Sequence, residues 1–186
     1  MVKSQKSNSA GEKRLISFRR LPKVMTAIAI GLCFAAPLPA SAEPATAVRD
    51  EDGKYFDKAD TPTYSIKEDG TVDWYTYSGF RRYHSECHVC HGPDGEGSSY
   101  APALKDSVKN QTYQQFMEVV ASGRANVNAS HTNVMPAFGS NKSVMCYIDD
   151  MYVYLRARAD EAIPRGRPPK RAERPAASIQ YEKDCM

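Results

Sequence analysis

The sequence is short of several features that would have narrowed its function at once. No internal repeat is visible, which excludes solenoid and propeller arrays. No strand-like alternation of useful length appears, which argues against a barrel or a sandwich. The longest apolar run, Val24 to Ala36, is too short for a comfortable membrane span. A large charge of one sign is also missing, with 25 Lys/Arg against 22 Asp/Glu and a formal net charge of +3. That balance does not suggest a nucleic-acid partner. Only four histidines occur, and a single C-x-x-C. No second pair follows downstream, so the paired ligand clusters typical of structural zinc are absent.

What is present begins with an address. Lys3, Lys6, Lys13, Arg14, Arg19, Arg20 and Lys23 form a basic segment ahead of the apolar run, and "LPASAEP" follows with Ala40 and Ala42 in an A-x-A arrangement. Residues 1–42 therefore read as a secretory signal cut after Ala42, with the product in the periplasm and no stable membrane span. The alternative, a retained anchor, fits this run less well. Seven of the basic residues and one acid, Glu12, leave with the signal, so the mature chain falls to about −3. Its charge is uneven, with 12 basic and 18 acidic side chains in residues 43–163 but six and three in residues 164–186. Cys33 also leaves. Cys87, Cys90, Cys146 and Cys185 remain in an oxidising compartment. An even count there implies two disulfides, or one disulfide and one pair with another task.

Residues 43–70 are rich in Asp, Lys, Pro and Gly and read as an irregular extension. Three helices are predicted after it. The first starts on Asp73 as N-cap and runs to about Glu86, with Gly79, Tyr83 and Cys87 on one face. The second is "NQTYQQFMEVVASGR", with Tyr113, Phe116, Met117 and Val120 as its stripe and Gly123 as its stop. The third is "NKSVMCYIDDMYVYLRARAD", where Val144, Ile148, Met151, Tyr152 and Leu155 face the core and Asp149, Asp150 and Arg156 face out. The fold class is all-α over residues 71–162. Residues 163–186 form a Pro/Arg-rich tail that cannot continue as a regular helix through its prolines.

The chemistry concentrates in "CHVCH", Cys87 to His91. Zinc is disfavoured because Cys90 and His91 are adjacent and no further cluster completes a tetrahedron. A dithiol oxidoreductase places C-x-x-C on a βαβ background, which this helical chain lacks. The remaining reading of C-x-x-C-H is covalent attachment of one haem c, with Cys87 and Cys90 as thioethers and His91 as an axial ligand. An electron carrier then needs a second axial ligand. Met135 in "NVMPAFG" is the candidate, since Pro136 fixes the chain beside it and disfavours helix there. His131 is the rival, and would give a bis-His iron of lower potential. His84 and His88 are expected at the surface.

Together these residues resemble the class I cytochromes c over about residues 73–160. That resemblance implies a small fold of three main helices around one covalent haem, with irregular terminal extensions. Gly79 would let the C-terminal helix cross closely, and Tyr83 would pack by the haem. Met151-Tyr152-Val153-Tyr154-Leu155 is similar to the family's C-terminal helix. "APAL" at 101–104 resembles the segment in which Pro102 would accept a hydrogen bond from His91 and Leu104 would touch the haem. More narrowly, "CHVCHGPDGEGSSYAPAL", "NVMPAF" and four mature cysteines resemble the methanol-metabolism-related c-type cytochromes of methylotrophic bacteria. The resemblance implies an electron-transfer protein rather than an enzyme. Its donor would be a quinoprotein (PQQ) methanol or alcohol dehydrogenase, and its acceptor another cytochrome c or an oxidase. With Cys87 and Cys90 on the haem, a Cys146–Cys185 disulfide is expected, closing a loop of about 40 residues. The alternatives are a fixed haem subunit of a larger oxidoreductase, or a haem enzyme or sensor.

Overall fold

The structure is a computed structural model that describes residues 46–127 and 132–186. The expected signal segment, Cys33 and His131 lie outside the described residues. The chain opens with a small antiparallel sheet, β1 (Arg49–Glu51), β2 (Lys54–Phe56) and β3 (Pro62–Thr63). Its register pairs Asp50 with Tyr55 and Tyr55 with Thr63. This corrects the irregular reading of residues 43–70. Asp52 and Gly53 both take positive φ and turn β1 into β2, a turn signal that the short strands gave no periodicity to support.

α1 (Trp74–Glu86) starts where Asp73 accepts the amide of Thr76 at 2.8 Å and that of Ser65 at 2.9 Å. One carboxylate thus caps the helix and ties it to the chain behind β3. A short turn, α2 (His88–His91), carries the C-x-x-C-H motif, and α3 (Leu104–Ser107) follows the Pro102 loop. α4 (Tyr113–Ser122) opens on a reciprocal capping box between Thr112 and Gln115 and stops at Gly123, close to the predicted second helix.

The next two elements were not predicted. β4 (Arg124–Val127) and β5 (Thr132–Met135) form an antiparallel ribbon whose register sets Arg124 opposite Met135. All residues of the ribbon but Met135 are exposed. With no buried face, the sequence has no reason to alternate.

The third predicted helix is divided at Cys146–Tyr147 into α5 (Lys142–Met145) and α6 (Ile148–Ala159). Val144, Ile148, Met151, Tyr152 and Leu155 are all buried, as their spacing requires. Asp150 and Arg156 are buried too, against expectation. Asp150 faces Ser78 of α1 and Lys54 of β2, and the Val108 turn covers Arg156. Arg156 donates to the Val108 carbonyl at 3.0 Å and pairs with Asp160. Asp149 is partly exposed and pairs with Lys54 of β2 and the Tyr113 hydroxyl.

The tail also departs from expectation. α7 (Ala176–Cys185) forms after Pro175, beyond the last proline of the segment. Upstream of it, Val72 and Arg171 bridge in parallel, with Ala172 N donating to Val72 O at 2.8 Å and Val72 N to Lys170 O at 3.2 Å. Trp74 Nε1 donates to Ser178 Oγ at 2.9 Å, and the guanidinium groups of Arg171 and Arg174 lie over the Trp74 ring. Cys146 and Cys185 are joined by a disulfide. The proline-rich segment is thus strapped across the start of α1.

α1 and α6 form the central crossing, and Gly79 permits it. A Cβ there would lie 1.8 Å from the Asp150 carbonyl oxygen. Among the described residues no helix is long and apolar enough to cross a membrane.

Candidate functional site

α1 delivers Cys87 directly from its C-terminus, where Cys87 N donates to Tyr83 O at 2.9 Å. One further turn sets His91 N on Cys87 O at 3.0 Å, so both cysteines and the histidine stand on a single compact turn. Gly92 ends it with φ of 72°, and a Cβ there would meet the Gly97 carbonyl oxygen at 2.1 Å. Only glycine fits that close approach. The Gly97 amide closes the loop onto His91 O at 2.8 Å.

His91 is buried, and its Nδ1 donates to the Pro102 carbonyl at 2.9 Å. That bond fixes the ring and leaves Nε2 as the lone-pair nitrogen. Tyr83 is fully buried behind the turn. Its hydroxyl donates to Gly92 O at 2.6 Å and accepts from Gly95 N at 3.1 Å. Burial raises its pKa, so it stays a neutral donor. Tyr83 therefore holds the backbone of the motif.

Asp94 was missed by sequence reasoning. It sits two residues past Gly92 with φ of 59° and is buried. Its carboxylate accepts from Tyr154 OH at 3.2 Å and Gly166 N at 3.0 Å, and Arg165 lies 3.4 Å away. Burial opposes its ionisation, but these donors and His84 win, and its pKa is lowered. The "PDG" turn after the motif was the available signal for a left-handed residue. His84 is only partly exposed, with Nδ1 2.8 Å from Phe80 O and its ring 4.3 Å from that of Phe80. His88 is partly buried as well. The loop that folds back over α1 covers His84, where Asp94 N meets its Nε2 at 3.4 Å, and the His88 ring stacks on that of His84 at 5.8 Å.

Six of the named residues, Cys87, Cys90, His91, Pro102, Leu104 and Met135, line one cleft of about 280 Å³. Phe116, Val120, Phe138, Val144, Met151 and Leu155 supply its apolar wall. Met135 reaches it from β5, and the chain beyond is held by Phe138 N on Val120 O and Gly139 N on Ala121 O, each at 3.0 Å. The Cys87 thiol is pushed up to about 12, chiefly by burial and further by Glu86 and Cys90. Such a thiol is a poor redox nucleophile or thiolate ligand at neutral pH. Among the described residues no cluster of three or more His, Cys, Asp or Glu side chains is arranged to hold a metal ion. The donor set suits haem c instead. Two thiols stand at the cleft edge, an imidazole is oriented by a carbonyl, a thioether is brought in from another element, and the walls are apolar.

Comparison with known proteins agrees. A family described as "Cytochrome C oxidase, cbb3-type, subunit III" matches residues 76–155. Cytochrome c-553I of Paracoccus denitrificans is 55% identical over 136 residues, covering 73% of this chain and 60% of that protein. The chain thus spans only part of that relative's length. Cytochrome c-555 of Methylococcus capsulatus is 45% identical over 96 residues, covering 51% of this chain and 72% of that protein. The crystal structure of c-type cytochrome XoxG from Methylobacterium extorquens AM1 superposes with a TM-score of 0.71 at 53% identity, covering 80% of this chain and 95% of that one.

Proposed function

Because this chain belongs to the c-type cytochromes, which are electron-transfer proteins and not enzymes, we propose that it is a periplasmic carrier with one haem c, attached through Cys87 and Cys90. His91 and Met135 would hold its iron. The signal at residues 1–42, cut after Ala42, would deliver the chain there, and residues 71–162 would form the haem domain. The observation that carries the reading is the shared cleft, in which His91 spends Nδ1 on Pro102 and so presents Nε2.

Haem c supplies a one-electron couple at its iron. The chain's residues orient, shield and tune that couple. The Pro102 carbonyl fixes the orientation of the His91 ring. The soft sulfur of Met135 favours the reduced state. Leu104, Phe116 and Leu155 keep water from the cleft interior. Tyr83 and Asp94 hold the motif loop rigid, so little rearranges when the charge changes.

The donor we propose is a PQQ-dependent methanol or alcohol dehydrogenase, and the acceptor a further cytochrome c or an oxidase. The likeness to the methanol-metabolism-related cytochromes supports this. Stopped-flow mixing of the ferric protein with such dehydrogenases and their alcohols tests it. Rapid appearance of the ferrous spectrum with a methanol-oxidising donor is expected. Failure of every such donor removes methanol from the proposal and leaves the carrier.

A further inference from the structure

The cleft ends in two different chemistries. Its interior is apolar, but at one side it opens into a polar groove of about 600 Å³. Ser107, Gln111, Val119 and Arg124 line both spaces. Haem c has the same division. The carbons that bond to cysteine sulfur lie on one half of the porphyrin, and two propionate carboxylates lie on the other.

Cys87 and Cys90 fix the first half. The charged residues in the cleft wall, His91 aside, are Glu86 and Arg124. Glu86 is next to the Cys87 anchor and carries the wrong sign for a carboxylate. Arg124 comes from β4, directly opposite Met135 in the ribbon register. It is exposed, and no carboxylate among the described residues forms an ion pair with it. Glu118 lines the polar groove as well, without reaching the cleft wall.

We propose that Arg124, with Gln111 of the same two linings, binds the haem propionates. The proposal rests on the haem-carrier reading. A guanidinium suits this task because its planar donors meet a carboxylate two at a time and stay charged at every relevant pH. The ribbon then has a double role. β5 brings the thioether to the cleft, and β4 brings the cation that neutralises the acid edge. Losing that cation leaves an unbalanced negative charge near the iron, which favours the oxidised state.

The test uses the haem-loaded protein with Arg124→Gln, Arg124→Lys and, as a distant exposed control, Lys58→Gln. Reduction potential is read by spectroelectrochemistry, and the propionate bending mode by resonance Raman. Arg124→Gln is expected to shift the redox equilibrium toward ferric by about threefold to tenfold, the size of one nearby charge in partly solvated protein. It should also move the propionate band. Arg124→Lys should recover most of the equilibrium, and Lys58→Gln should change neither reading. If haem is attached and Arg124→Gln matches Lys58→Gln in both readings, the assignment of Arg124 is overturned. If haem staining of a denaturing gel finds no covalent haem on the wild-type chain, the carrier reading falls, and this assignment with it.

Discussion

Replacing Gly79 by alanine sets two physical effects against each other. Glycine inside a helix is about 0.5–1 kcal/mol worse than alanine, so helix preference alone predicts that Gly79→Ala stabilises. The α1–α6 crossing predicts the reverse. A Cβ at this position would stand 1.8 Å from the Asp150 carbonyl oxygen, 2.5 Å from its carbonyl carbon and 2.8 Å from Tyr154 Cβ. Ordinary contact begins near 3.4 Å, so the helices must part by about 1.6 Å. Backbone atoms cannot swing aside as a long side chain would. Parting the helices loosens Tyr83, Tyr154 and Leu155, each 1% exposed or less. Overpacking usually costs about 1–3 kcal/mol, and occasionally more. A rigid contact this short goes past that range, to about 4 kcal/mol, and after the helix gain leaves a net loss of about 3 kcal/mol. Urea denaturation of the haem-loaded protein, followed by circular dichroism, measures it. With a slope of about 1.5 kcal/mol/M, the midpoint should fall by about 2 M. A midpoint equal to or above wild type, at unchanged slope, would refute the crossing geometry.

Four further outcomes are expected. The double variant Cys146→Ser/Cys185→Ser should lose about 4 kcal/mol in the chain-entropy view, since the bridge spans 39 residues; thiol titration of the denatured, unreduced wild type should find no free thiol from this pair. Asp150 is raised to about 7, chiefly by burial, against the pull of Ser78 and Lys54 and with Asp149 and Asp73 nearby. Its folded state therefore holds a proton that the unfolded chain releases near pH 4, so stability falls as pH rises from about 4 to about 7. Asp150→Asn should flatten that fall, matching wild type near pH 4 and exceeding it by a few kcal/mol near pH 8, read as urea midpoints across pH. Met135→Ala should keep the covalent haem but lose the red-edge ferric sulfur-to-iron band and lower the potential. Asp94→Ala should cost about 2–4 kcal/mol, because it orphans the donors from Tyr154 and Gly166 and keeps a left-handed backbone without asparagine-like tolerance; Asp94→Gly should recover the backbone part in the same melt.

The sequence made the central frame legible because the frame obeys one rule. Tyr83, Phe116, Val120, Ile148, Met151 and Leu155 recur at helical spacing, and all are buried in the α1–α4–α6 core. The cleft was legible for another reason: its C-x-x-C-H motif is contiguous, and Cys87, Cys90 and His91 share one lining with Pro102, Leu104 and Met135. What escaped has no local period. Strands of two or three residues in β1–β3 and a four-residue ribbon exposed on both faces carry no alternation to read. Asp150 and Arg156 looked solvent-facing because helix patterning assumes one covered face. Here Ser78 of α1 and Lys54 of β2 meet Asp150, and the Val108 turn covers Arg156. The tail was misjudged through its prolines, which end before α7 begins.

The ribbon also bears on how such chains diverge. Its base is pinned by the Val120 and Ala121 carbonyls and by Gly123, whose Cβ position is only 2.6 Å from the Met135 carbonyl oxygen. Residues added or removed between Val127 and Thr132 leave the pairing of Arg124 with Met135 as it is, whereas a single insertion nearer the base turns every later side chain to the other face. Selection, or a combinatorial library, can therefore vary the chain length there in graded steps while Met135 stays paired with Arg124. Length polymorphism in lineages of this protein should gather in that interval and be purged on either side of it.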